Sequence, residues 1–144
     1  MSAYRPIVYT SNRKTVQHKY RRKTKMGNSQ KEAQLKLMKG LLDLIILQFL
    51  NTQPMHGYQI ITKIRKSFGV YFGPSTIYPL LSALEKKKIL NSQWNMAGER
   101  PRKIYCLTDN GRKMLNFTED SLNLICKKIT VSTSSEIVIS ASTQ

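Results

Sequence analysis

The chain is poor in the residues that mark secreted, metal-binding or catalytic proteins. Its two cysteines, Cys106 and Cys126, cannot build a disulfide framework; they form no CxxC pair and have no histidine nearby in sequence, so a zinc site lacks ligands. Both are expected as reduced packing residues. The two histidines, His18 and His56, sit in no catalytic pattern, and GxSxG, P-loop and dinucleotide fingerprints are missing. No enzymatic activity, metal or cofactor is therefore expected.

Long apolar runs are missing too. The longest, residues 44–47, is bounded by Asp43 and Gln48, against the roughly 20 residues that a membrane span needs. The N-terminus has no apolar stretch of the kind a secretory signal carries. It is basic and acid-free like an organellar transit peptide, but its apolar residues show no amphipathic spacing. The expected location is the cytoplasm, at the nucleoid.

Acids are the scarcest class relative to their counterparts: eight Asp and Glu against 24 Lys and Arg give a net charge of +16 over 144 residues. Residues 1–30 hold eight bases and no acid, residues 31–129 hold 16 bases and seven acids, and Glu136 stands alone beyond them. An N-terminal arm and a body are thus each strongly basic, and the natural partner is a polyanion.

Periodicity then organises the chain. Residues 1–30 show neither helical nor strand spacing and read as a disordered basic arm. From about Lys31 to Leu50, Leu35, Met38, Leu42, Ile45, Ile46 and Phe49 recur at three- and four-residue steps, which predicts one buried helix ended by Pro54. A second helix is expected over about residues 56–68, with Ile60, Ile61, Ile64 and Phe68 inward and Gln59, Thr62, Lys63 and Lys66 outward; Gly69 ends it. In the third, Ile77, Leu80, Leu81 and Leu84 make the core stripe, while Ser75, Thr76, Tyr78, Pro79 and Ser82 make a small, hydroxylated face. Its cap is either Gly73, with Pro74 in the first helical position, or Ser75.

Residues 89–95 and 102–107 are short and β-compatible, which predicts a hairpin with a basic tip. Thr108 caps a further helix whose stripe, Leu115, Leu122, Ile125, Cys126 and Ile129, needs cover from a second copy or, alternatively, folds back onto its own monomer. The Ser/Thr-rich residues 130–144 read as a flexible tail. The whole is a mainly α chain with a small β-hairpin: a winged helix-turn-helix over 31–108 followed by a C-terminal dimerisation helix over 109–129.

In this order stand Gly40-Leu41-Leu42, His56-Gly57-Tyr58-Gln59-Ile60, Thr76-Ile77-Tyr78-Pro79-Leu80-Leu81 and, across the wing, Arg100-Pro101-Arg102-Lys103-Ile104-Tyr105-Cys106-Leu107-Thr108-Asp109-Asn110-Gly111. On these four blocks the chain resembles the PadR family of transcriptional regulators over about residues 38–128. Gln59, Ile104 and Cys106 depart from that pattern, where an acid, an aromatic and a charged residue are usual, and the basic arm lies outside it. The resemblance implies a regulator, usually a repressor, that dimerises through its C-terminal helix with help from the first. It also implies that Tyr78 lies at the DNA-facing surface. Some members release DNA on binding small aromatic compounds near the dimer interface, but nothing in this sequence identifies such an effector.

The expected interface follows from chemistry. Ser75, Thr76, Tyr78, Pro79 and Ser82 would approach the major groove, but none is a strong base reader such as Arg or Asn, so direct readout is modest. Lys63, Arg65, Lys66, Lys86 and Lys87 would hold phosphates, or form a solvated basic face. Arg100, Arg102 and Lys103 lie on the wing, with Arg100 the candidate for a narrow minor groove. Strand alternation lets only one of Arg102 and Lys103 face the duplex. Trp94 is expected to pack rather than to serve as a stacking platform. The expected function is sequence-specific transcriptional regulation, with a homodimer repressing from a pseudo-palindromic double-stranded operator. The alternative is a basic architectural chromatin or RNA-binding winged helix without specific sites.

Overall fold

The computed structural model describes the backbone of residues 27–141 and the side chains of residues 27–130. The expected arm lies outside the described residues except at its end, where residues 28–30 are already helical. The chain divides after Gln34 into two units. Of the first, only Gly27 and the opening turns of helix α1 (Asn28–Gly40) are described; the second carries the rest of the fold.

The single N-terminal helix of the sequence reading is two: α1 and α2 (Leu42–Thr52). Gly40 is a weak helix former, and Leu41 after it has φ −100° and ψ 2°, outside the helical well. α2 is almost wholly inward, with Leu42, Leu44, Ile45, Ile46, Leu47 and Leu50 buried. Leu35, assigned to the same stripe, is 37% exposed. Gln53 turns extended and ends α2 ahead of Pro54.

A two-residue strand, β1 (Met55–His56), follows, too short to have left a periodic signal. Helix α3 (Gly57–Phe68) starts in a capping box: His56 Nδ1 accepts from the backbone N–H of Gln59 at 3.3 Å, and Gln59 Oε1 accepts from the N–H of His56 at 3.0 Å. The amide of Gln59 does here what an acid would do. Gly69, at φ 70°, closes α3 in the left-handed conformation that glycine adopts without strain. Phe68 does not enter the core but stacks on Phe49 with ring centroids 6.5 Å apart.

Helix α4 (Pro74–Lys86) takes the first of the two registers, with Gly73 as cap and Pro74 in the first turn. Ile77, Leu81 and Leu84 are buried and Leu80 packs against them. Pro79 lies inside the helix and removes one main-chain donor. At the other end, Lys88 N–H bonds to Glu85 O at 2.9 Å and Ile89 N–H to Leu84 O at 3.0 Å. This double closure holds Lys88 at φ 58°, a position that usually belongs to glycine.

Strands β2 (Leu90–Asn95) and β3 (Arg102–Leu107) form the hairpin, and β1 adds to the far edge of β3, so the antiparallel order is β1-β3-β2. Register pairs Leu90 with Leu107, Ser92 with Tyr105 and Trp94 with Lys103. One face thus passes from buried residues at the root to large exposed ones toward the tip. Helix α5 (Asp109–Ala141) begins at Thr108, whose Oγ1 accepts the Gly111 N–H at 3.0 Å. A Cβ on Gly111 would stand 2.2 Å from the carbonyl oxygen of Ile89, so only glycine lets α5 close on the end of α4.

The core joins α2, α3, α4 and the sheet root to Leu115 of α5. The backbone of α5 continues to Ala141, through most of the segment expected as a flexible tail. Helix formation needs no apolar stripe where the backbone can propagate from a folded start, so Ser/Thr content alone was a poor stop signal. Among the described residues no helix is long and apolar enough to cross a membrane.

Candidate nucleic-acid interface

α4 turns its hydroxylated face outward. Ser75, Thr76, Tyr78, Pro79 and Ser82 are all exposed, opposite the buried Ile77, Leu81 and Leu84. The sequence places these five together, and the helix presents them on its solvent side.

Tyr78 is fixed by its neighbour helix. A Cβ on Gly57 would lie 2.5 Å from the Tyr78 ring, so the ring sits flush on the α3 backbone at Gly57 and stays 42% exposed. Tyr78 is thus a surface ring braced by a glycine. The His-Gly-Tyr block and the Thr-Ile-Tyr-Pro block, far apart in sequence, meet at this contact.

Beside it opens a cleft of about 850 Å³ between the helices and the wing. Its helical wall is Gly57, Tyr58, Gln59, Thr62, Lys63, Lys66 and Tyr78. Its wing wall is Trp94, Arg100, Pro101, Arg102 and Lys103, with His56 between the two. Among the described residues no carboxylate lines the cleft. Lys63 has its ammonium over the Phe49 ring at 4.6 Å from the centroid, a contact that leaves its charge unneutralised. Arg65 leans instead toward Tyr71, at 6.0 Å, and Lys86 and Lys87 are exposed at the end of α4; none of these three lines the cleft.

The wing arginines and lysine separate. Arg100 and Arg102 are exposed, and an Arg102 Nη lies 3.4 Å from His56 Nε2. Partial burial, and secondarily the charge of Arg102, hold His56 below its ordinary pKa and favour the neutral ring that the cap requires.

Lys103, expected as a DNA contact, is bound to Glu85 of α4 at 2.7 Å. Its pKa is raised by that hydrogen bond. Glu85 also accepts from the Ser92 hydroxyl, and its pKa is lowered first by Lys103 and then by Ser92. One carboxylate in the last turns of α4 therefore clasps both wing strands. Lys103 is a strut between helix and wing rather than a free cation. Sequence reasoning missed Glu85 because its partners lie seven and 18 residues away.

Two further corrections concern apolar residues. Leu115, assigned to the dimer stripe, is 2% exposed and spent in the core, and Leu122 packs partly against the same core. Ile125, Cys126 and Ile129 are exposed, as are Leu124 and Phe117. The stripe continues one apolar face, but its first turn is used inside the protomer. Trp94, expected to pack, is 64% exposed on the cleft wall. Cys106 is half-buried and both cysteines are unbridged; among the described residues no cluster of His, Cys, Asp or Glu is arranged to hold a metal ion.

Comparison with known proteins matches residues 46–116 to the transcriptional regulator PadR-like family. A PadR family transcriptional regulator from Eggerthella lenta superposes with TM-score 0.64 at 30% identity, over 69% of this chain and 87% of that one. A PadR-like transcriptional regulator from Bacillus cereus gives TM-score 0.61 at 26% identity, over 68% of this chain and 96% of its own. An uncharacterized 37.1 kDa protein in a transposon of Streptomyces fradiae is 33% identical over 72 residues, which is 50% of this chain but only 20% of that protein. With an outward hydroxylated helix, a clasped wing and these relatives, the chain belongs to the PadR-like family of transcriptional regulators and is a DNA-binding winged helix.

Proposed function

We propose that the chain is a repressor that binds a pseudo-palindromic operator as a homodimer. One observation carries this reading: the exposed face of α4 and a cation-lined, carboxylate-free cleft lie side by side, braced by Gly57 against Tyr78 and by Glu85 against the wing. Thr76, Ser75, Ser82, Pro79 and Tyr78 meet the major groove, while Lys63, Lys66, Lys86 and Lys87 hold flanking phosphates. Arg100, with Arg102 behind it, follows the adjacent minor groove.

Dimerisation rests on α5. Ile125 and Cys126 expose apolar surface beyond Leu122, the last residue of α5 packed on the core, and Phe117 and Leu124 expose more on the side of the helix that the core does not cover. A second copy packed there spaces two recognition helices about one DNA turn apart. An apolar groove of about 430 Å³ between α2 and α5, including Phe49, Phe68 and Leu122, adjoins the same region and offers room for a small-molecule effector. Residues 1–30, with eight bases, add affinity for any sequence.

The test is competition. Genomic fragments captured by the purified chain are challenged with random duplex at moderate salt. Retention of a discrete set of fragments supports the regulator; equal displacement of all of them favours a sequence-independent chromatin or RNA-binding role.

A further inference from the structure

Trp94 is the chain's only tryptophan, and it lies 64% exposed on the wing wall of the cleft. Its cross-strand neighbour Lys103 does not cover it, because the ammonium is held by Glu85 and lies 5.4 Å from the Tyr105 centroid. On the helical wall stand Tyr58, 67% exposed, and Tyr78. Three exposed aromatic residues therefore line a space whose charged lining, among the described residues, is entirely cationic.

An intact duplex can use the cations of this cleft but leaves its rings unused. Its bases are stacked on one another and offer only their edges in the grooves, whereas phosphates need cations but no rings. Ring faces beside a basic track are the device by which proteins hold unpaired nucleotides: a base stacks on the aromatic while flanking phosphates run along the cations.

We propose that the cleft between α3 and the wing, flanked by Tyr78 of α4, is a stacking site for unpaired nucleotides of DNA. A base lies on Trp94, with the tyrosines of the helical wall closing the site, and its flanking phosphates are held by Lys66, Arg100 and Arg102. The inference rests on this surface being the nucleic-acid face. It adds a preference for melted or single-stranded segments, such as an opened step within a bound site.

The probe is built in, since all tryptophan fluorescence comes from Trp94. The full chain is titrated with a short oligothymidylate, an abasic oligomer of equal length, an oligouridylate and a blunt duplex. Oligothymidylate is expected to bind and quench the tryptophan; the abasic oligomer, with the same phosphates, is expected to bind more weakly and without quenching. By anisotropy of labelled oligothymidylate, Trp94→Ala should lose roughly 5- to 150-fold in affinity and Trp94→Phe should restore most of it. Equal affinity for thymidylate and abasic oligomers, or an unaltered Trp94→Ala variant, overturns the proposal, and preference for oligouridylate overturns DNA as the occupant. Duplex binding without base stacking sinks this inference alone, whereas loss of duplex binding as well removes the regulator reading beneath it.

Discussion

The root and the tip of the wing belong to one hairpin but live under opposite rules. At the root, Leu90, Tyr105 and Leu107 are buried, β1 adds a third strand, and Thr108 ties the exit of β3 to the end of α4. At the tip, Trp94, Met96, Arg100 and Arg102 are exposed, and no core holds them. Between the two sits Glu85, bonded to Ser92 and Lys103. The difference teaches that position and contact are separate tasks: the root and the clasp decide where the tip stands, and in the proposed reading the tip supplies groups for nucleic acid.

Substitutions break this division in order of size. At the root, Gly111→Ala forces a methyl against the Ile89 carbonyl, a main-chain atom that cannot swing aside, and should cost about 3 kcal/mol or more, read as a large fall in the denaturation midpoint. Leu115→Ala belongs to the same class, at about 2–5 kcal/mol for an emptied core site. The equivalent change at exposed Ile125 should leave protomer stability nearly unchanged and instead weaken self-association, as measured by sedimentation. A fully stable Leu115→Ala variant would contradict the assignment of that residue to the core.

Gly57→Ala lies between root and tip. The added methyl displaces the Tyr78 ring, a side chain that can move, so the stability loss should be no more than about 1–3 kcal/mol while operator binding falls more steeply. Glu85→Gln sharpens the comparison further. A surface ion pair contributes at most about 1 kcal/mol, so melting should change little, yet the wing is released and specific binding should drop several-fold.

The pH dependence of that clasp has a definite sign. Glu85 is lowered from its ordinary value of 4.5, so its contribution is complete above that pH and disappears as pH falls through the folded value. Lys103 is raised from 10.5, so its share is complete below that pH and disappears as pH rises through the folded value. Across neutral pH the clasp is closed, and Glu85→Gln should remove the acid-side dependence. The smallest effect is expected at Lys88, whose φ of 58° is a strained position for a side chain; Lys88→Gly should stabilise by about 0.5–1 kcal/mol with binding little changed.

Much of this architecture was legible in the sequence, and the parts that were not share a physical reason. Ile77, Leu81 and Leu84 announce α4 because helical spacing is a local signal, and Thr108 announces α5 because a cap is local too. The two residues of β1 carry no period, and pairing with β3 depends on a chain segment about 50 residues away. An apolar stripe does not name its partner: Leu115 and Ile125 look alike in sequence, but one meets the core and the other does not. The roles of Glu85, Gly57 and Lys103 arise from contacts between elements. Each side chain is ordinary until the helix and the wing are side by side.

The central claim is that α4 and the clasped wing read DNA as a paired unit. Hydroxyl-radical footprinting of the full chain on fragments selected from genomic DNA tests it most directly. The account predicts two protected patches related by two-fold symmetry, their centres about one helical turn apart, roughly 10–10.5 base pairs or a multiple of it. Glu85→Gln should weaken the minor-groove edge of each patch first. Uniform protection without phased centres, equally erased by random duplex, would contradict it.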